Sequence, residues 1–247
     1  MTVNQRKPMI IGHRGAAGEA PENTLASFAL AAEQGAEGIE LDIHISKDGE
    51  IVVCHDPTLD RTTNGSGLIC EHNWQDIRQL DAGAWFADNY RGERVPLLRE
   101  VFEMLPKGFL VNVEVKYSYE GRQEQALLAY LRESGRMEDV VISSFDHQCI
   151  RRLKLAEPDV KVGLLYAANL FDHAAYARQA DIDIFSLHPY YQTIAASDVK
   201  GAATAGLATY PYTVNQEEDF ARLTEAGVSG IITDYPGRLR DFLEGIQ

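Results

Sequence analysis

Residues 38–56 read GIELDIHISKDGEIVVCHD, and the division of this stretch decides the fold. The first nine, 38–46, read as a strand in which residues i and i+2 share a face. Lys47-Asp48-Gly49 then carries the turn signal of a hairpin into a second strand-like run, 50–56. Working outward, apolar or β-branched runs recur at 9–13, 109–116, 140–145, 161–166, 182–188, 207–214 and 228–234, which with 38–46 makes eight strands. Helical patterns fall at 23–35, 97–105, 122–134, 147–156, 171–180, 193–205, 216–226 and 237–245. The first of these opens at Asn23, keeps its apolar residues on one face and stops at Gly35. Eight strands each followed by a helix predict an α/β chain closed into a (β/α)8 TIM barrel rather than an open doubly wound sheet, and 247 residues suit one such domain, 1–247. Segment 57–95 breaks the rhythm and is expected to form a small inserted subdomain after the second strand, at the rim where barrel loops build active sites.

The net charge of −14 repels a nucleic-acid backbone, and no basic patch offsets it, so no nucleic-acid partner is expected. An anionic small-molecule substrate must then be met by a local positive site. No apolar run approaches the ~20 residues that cross a bilayer, which argues against stable membrane insertion. The N-terminal MTVNQRKPMIIG lacks the pattern of a signal peptide, so a cytoplasmic location is expected. Cys54, Cys70 and Cys149 are odd in number and have no paired-ligand spacing, so they read as ordinary thiols. The pattern carries no signal for oligomeric state.

Glu40 and Asp42 place two carboxylates on one strand face, about 7 Å apart along the chain. Glu114 and Lys116 repeat the spacing one strand later. Taken alone, such pairs belong more often to structural ion pairs. Charge in the middle of Val/Ile/Leu strands is nevertheless costly unless paired or bound to an ion, and three carboxylates from neighbouring strands make an oxygen cage suited to one hard divalent cation, Mg²⁺ or Ca²⁺. A His-Arg pair, His13 and Arg14, and a His-Asp pair, His55 and Asp56, fall at the ends of strand-like runs, where barrel enzymes place chemistry. Each histidine alone suits a structural role, but two beside a cation suit proton transfer in a displacement at phosphorus. The Arg14 fork can grip phosphate oxygens, and Lys116 adds a compact charge. His44 shares the face of Asp42 and is expected to ride the hairpin above the rim, in a supporting role rather than as a ligand. His72, His147 and His173 read as loop or helix-start residues, whereas His188 in SLHPYY is a candidate pocket-lining residue.

Assembled, GHRG (12–15) with PENT (21–24), E-x-D (40–42), HD (55–56) with DRTTNG (60–65), E-x-K (114–116), SSF (143–145) and TDYP (233–236) resemble the glycerophosphodiester phosphodiesterase family over nearly the whole chain. The resemblance implies a barrel with an insertion after the second strand, and hydrolysis of glycerophosphodiesters to sn-glycerol 3-phosphate and an alcohol. It implies His13 and His55 as the acid-base pair, Glu40, Asp42 and Glu114 as metal ligands, and Arg14 and Lys116 as phosphate-holding groups. Asn23 would brace the histidine loop. Tyr212 stands where many members have a seventh-strand Trp, which keeps an aromatic wall. The alternative reading is a lysophospholipase D-like enzyme acting on lipid diesters, for which the insertion offers Trp74, Trp85, Phe86 and Tyr90.

Overall fold

A computed structural model describes residues 7–245; residues 1–6 and 246–247 of the expected 1–247 domain lie outside the described residues. Its strands are β1 (Met9–His13), β2 (Gly38–Ile45), β3 (Ile51–Val53), β4 (Leu110–Val115), β5 (Val140–Ser144), β6 (Lys161–Tyr166), β7 (Ser186–Pro189), β8 (Ala208–Thr209) and β9 (Gly230–Thr233). The helices are α1 (Leu25–Glu33), α2 (Trp74–Ile77), α3 (Leu98–Met104), α4 (Arg122–Ser134), α5 (His147–Ala156), α6 (His173–Arg178), α7 (Ala196–Thr204), α8 (Glu217–Ala226) and α9 (Pro236–Gly245). All ladders are parallel except β2–β3, so eight strands are barrel staves and β3 is the return arm of the expected hairpin. The order runs β8-β7-β6-β5-β4-β2-β1-β9. No ladder joins β8 to β9; backbone bonds Ser229 N to Thr209 O (3.0 Å), Ile232 N to Pro211 O (3.1 Å) and Val214 N to Ile232 O (2.9 Å) close that seam.

The predicted strand 207–214 is thus regular only over Ala208–Thr209. Pro211 has no N–H to donate, so the rest is extended backbone touching both neighbours without a continuous ladder. The strand predicted at 182–188 begins later, at Ser186, and runs to Pro189. In α1 the cap is Thr24, whose hydroxyl accepts from Ser27 N; Asn23 stands one residue outside the helix with φ +57°.

Strand parity separates two layers. Leu41, Ile43, Val111, Val113 and Val115 join Phe28, Val101, Phe102, Leu127 and Leu131 of the surrounding helices in the main apolar core. The intervening residues of β2 and β4 face the barrel interior, where the register pairs Glu40 with Asn112 and Asp42 with Glu114. Ile11, Tyr210 and Ile232 plug the interior. Segment 57–95 contains short turns and α2, and it packs Leu59, Ile69, Trp74, Ile77 and Val95 with Val52 and Cys54 into a second small core.

Candidate active site

Glu40, Asp42 and Glu114 meet at the C-terminal ends of adjacent staves, each offering one oxygen so that the three lie within 4.8 Å of one another. All are buried. Burial and the neighbouring Asp42 carboxylate push Glu114 up to about 7, and burial with Asp42 and Glu114 also raises Glu40 well above the glutamate range. Burial opposes ionisation of Asp42 as well, but Lys116, Arg14, His55 and Asn23 together bring it down to about 2. Asp42 Oδ1 is buried without a hydrogen-bond partner. A crowded, all-oxygen, like-charged donor set with a buried carboxylate oxygen that accepts no hydrogen bond fits a hard divalent cation.

The cluster is wrapped in positive charge. Lys116 Nζ lies 2.7 Å from Glu114 Oε1 and 3.3 Å from Asp42 Oδ1. Arg14, at φ +50°, gives its backbone N–H to Glu40 Oε2 (3.0 Å), its Nη1 to Glu22 Oε1 (2.8 Å), and places Nε 3.5 Å from Asp42 Oδ2. Gly15 follows at φ +87° against Ser27, where an added Cβ would stand 2.4 Å from the serine Oγ; only glycine lets the loop turn there. Asn23 donates from Nδ2 to Asp42 Oδ2 (2.9 Å) and from its backbone N–H to the Arg14 carbonyl oxygen (3.0 Å), so it braces the acidic cluster as well as the histidine loop.

The two histidines are held alike. His13 Nδ1 lies 2.6 Å from Asp234 Oδ1, with Nε2 3.9 Å from Glu40 Oε2. His55 Nδ1 lies 2.7 Å from Asp56 Oδ1. Burial opposes ionisation of Asp234, but His13 and Asn215 more than offset it and lower its pKa; Arg61 and His55 hold Asp56 low. Ionised carboxylates only accept, so each Nδ1 carries a proton and, in the neutral ring, Nε2 is the nitrogen left with a lone pair. Burial lowers the pKa of His55, while Asp42 acts against that shift across the site. Arg61, from the inserted segment, bonds both Asp56 and Glu22 (2.7–3.1 Å), and Glu22 in turn holds Arg14.

Two histidines stand elsewhere than expected. His188 is wholly buried on the barrel interior, bonded to Ser186 Oγ (2.8 Å) and edge-on to Tyr210 (5.4 Å), in space that side-chain-free Gly163 leaves. It therefore does not line the mouth. His44 does not ride above the rim: it is buried at the end of β2, and burial holds its pKa down to about 4. Tyr212 is at the mouth, half-buried, its ring edge-on to Phe145 (5.9 Å). Asp234, Glu22 and Arg61 had no role assigned from sequence, although Asp234 shares strand parity with the inward Ile232.

The profile of the Glycerophosphoryl diester phosphodiesterase family matches residues 13–238, a span that runs from His13 past Asp234. The chain belongs to that family. A glycerophosphodiester phosphodiesterase of Caldanaerobacter subterraneus is 44% identical over 239 residues, covering 94% of this chain and 96% of the relative. The structure of an Oleispira antarctica phosphodiesterase in complex with the product sn-glycerol-3-phosphate is similar at TM-score 0.87 and 31% identity, covering 96% of this chain and 97% of that one. An Agrobacterium tumefaciens glycerophosphodiester phosphodiesterase is similar at TM-score 0.82 and 30% identity, with 95% and 99% covered. The structural neighbours in this family are (β/α)8 TIM barrels, and the chain has that fold.

Proposed function

We propose that the chain hydrolyses glycerophosphodiesters to sn-glycerol 3-phosphate and a free alcohol, using one divalent cation, Mg²⁺ or Ca²⁺, and a His13/His55 proton-transfer pair. The observation that carries this reading is the pair of His–Asp dyads flanking an oxygen-only acidic trio. Glu40, Asp42 and Glu114 would hold the cation. When bound, it supplies neutralisation of the phosphoryl charge and acidification of a hydroxyl. Arg14 and Lys116 add positive charge for the phosphate oxygens at a site in an otherwise acidic protein. One imidazole takes a proton at Nε2 and the other gives one to the leaving oxygen, while Asp234 and Asp56 keep both rings oriented.

Lipid diesters fit less well. Trp74 is 6% exposed and belongs to the insertion's own core, while Phe86 stacks edge-on between Trp85 and Tyr90. No helix among the described residues is long and apolar enough to cross a membrane. The insertion 57–95 acts in this reading as a rim element that delivers Arg61. Three free cysteines suit a reducing compartment, and a cytoplasmic setting is part of the proposal.

The test is release of glycerol 3-phosphate from a panel of glycerophosphodiesters with each cation in turn and with chelator. His13→Ala and His55→Ala should each lower turnover by roughly 10²–10⁴-fold in folded protein. Undiminished turnover in chelator, or in either variant, contradicts the proposal.

A further inference from the structure

His44 lies two residues past Asp42 on β2, and both its ring nitrogens are engaged. Nε2 stands 3.1 Å from the carbonyl oxygen of His55, and Nδ1 stands 2.7 Å from the Tyr119 hydroxyl. A carbonyl oxygen only accepts, so Nε2 carries the proton; Nδ1 presents its lone pair, and the tyrosine hydroxyl donates to it. The chain of bonds therefore runs in one direction, from Tyr119 through the imidazole to the backbone of His55.

Tyr119 belongs to the turn 117–121 that follows Lys116 directly. Tyr119, Glu120 and Gly121 have φ of +48°, +60° and +84°, three consecutive residues in the left-handed region. For the two that carry side chains this conformation costs about 1 kcal/mol or more each and persists only where contacts hold it. The His44 ring supplies such contacts: its centroid is 5.8 Å from that of Tyr117 and 6.1 Å from that of Tyr119.

We infer that His44 is a positioning residue: it fixes the backbone from which His55 projects and ties that backbone to the turn behind Lys116. The proton-transferring ring and the phosphate-holding ammonium thereby keep their spacing. The inference rests on the proposed role of His55. A misplacement of about 1 Å in such a group lowers turnover about 10²-fold, without a matching loss of substrate affinity.

His44→Phe fills the ring volume and removes both bonds, whereas His44→Gln can donate to the carbonyl and accept from the tyrosine. Tyr119→Phe removes the hydroxyl alone. His44→Phe should lower kcat by roughly 10²-fold with KM within about threefold, and His44→Gln should recover most of the loss. His147 makes the same pair of bonds, Nε2 to the Leu165 carbonyl oxygen (2.8 Å) and Nδ1 to the Tyr176 hydroxyl (2.8 Å), so imidazole ¹⁵N spectra of the wild-type protein should contain more than one ring locked as the Nε2–H tautomer, of which one disappears in His44→Phe while that of His147 stays. Wild-type kcat in folded His44→Phe, a loss confined to KM, or a glutamine variant no better than phenylalanine overturns the inference. If His44→Phe fails to fold, Tyr119→Phe decides: kcat lowered by about threefold or more supports the inference, and an unchanged kcat overturns it. An active wild type and inactive His55→Ala beside an unimpaired His44→Phe overturn the inference alone. An active His55→Ala or an inactive wild type overturns the reading beneath it.

Discussion

Asp234→Asn exchanges one oxygen for an amide nitrogen and tests how His13 is held. Asn215 Oδ1 accepts from Thr233 Oγ1 (3.2 Å) and Asp234 N (3.0 Å), which fixes its Nδ2 toward Asp234 Oδ2 at 2.6 Å. An asparagine at 234 must turn its oxygen to that donor, leaving its own NH₂ against His13 Nδ1. The imidazole then has to present a lone pair at Nδ1, and its proton moves to Nε2, the nitrogen facing Glu40. A base cannot work from a protonated nitrogen, and an imidazolium there loses its counter-charge. A positioned acid-base group is worth roughly 10²–10⁴-fold. The same exchange in a serine-protease triad costs about 10⁴ through the wrong tautomer. The kcat should therefore fall roughly 10²–10⁴-fold, about 3–5 kcal/mol on the barrier, with little change in KM. Loss of a partly exposed charge pair alone would cost about 1 kcal/mol or less, about fivefold. The assay is glycerol 3-phosphate release at saturating cation, coupled to a dehydrogenase, beside a melting curve. A loss of less than about tenfold in a folded variant would refute the tautomer argument.

Other outcomes follow from the same geometry. Glu114 is raised from its usual 4.5 to about 7, so the ion-free folded chain keeps a proton that the unfolded chain releases. That contribution to stability is complete below 4.5 and is lost as pH rises through about 7. Apparent cation affinity, measured by titration calorimetry, should rise over the same interval, and a flat profile counts against Glu114 as a ligand. Arg61→Gln removes four hydrogen bonds to Asp56 and Glu22. It should lower kcat/KM by roughly 3–30-fold, read by the same coupled assay, because Arg61 is partly exposed and its bonds are screened. Gly163→Ala puts a Cβ 2.4 Å from His188 Nε2 and 2.7 Å from Ser186 Oγ. It should cost about 1–3 kcal/mol in denaturant unfolding.

The alternation of runs at 9–13, 38–46, 109–116 and their successors made the barrel legible, because each stave must show apolar side chains to its helices at period two. Legibility failed where the backbone broke the rule. Pro211 interrupts the seventh stave, and the lead-in to Ser186 carries the exposed Asp181 and Asp183. The acidic trio could be read because charge inside a strand is costly enough to need a reason. Glu22 and Arg61 gave no such signal, since charged loop residues are ordinary until a fold joins them. His44 was misplaced for a related reason: the hairpin arm Ile51–Val53 folds back along β2 and covers its end, which local sequence does not reveal.

The bond between His13 and Asp234 spans 221 residues, from the first stave to just past the last. A ribosome-bound fragment lacking the final βα unit could have the acidic trio and the His55 dyad in place, yet His13 would have no aspartate behind it. On the proposed mechanism, competence for hydrolysis would thus arrive only when the first and last staves dock side by side, and turnover by a growing or truncated chain would report ring completion rather than the mere presence of its chemical groups.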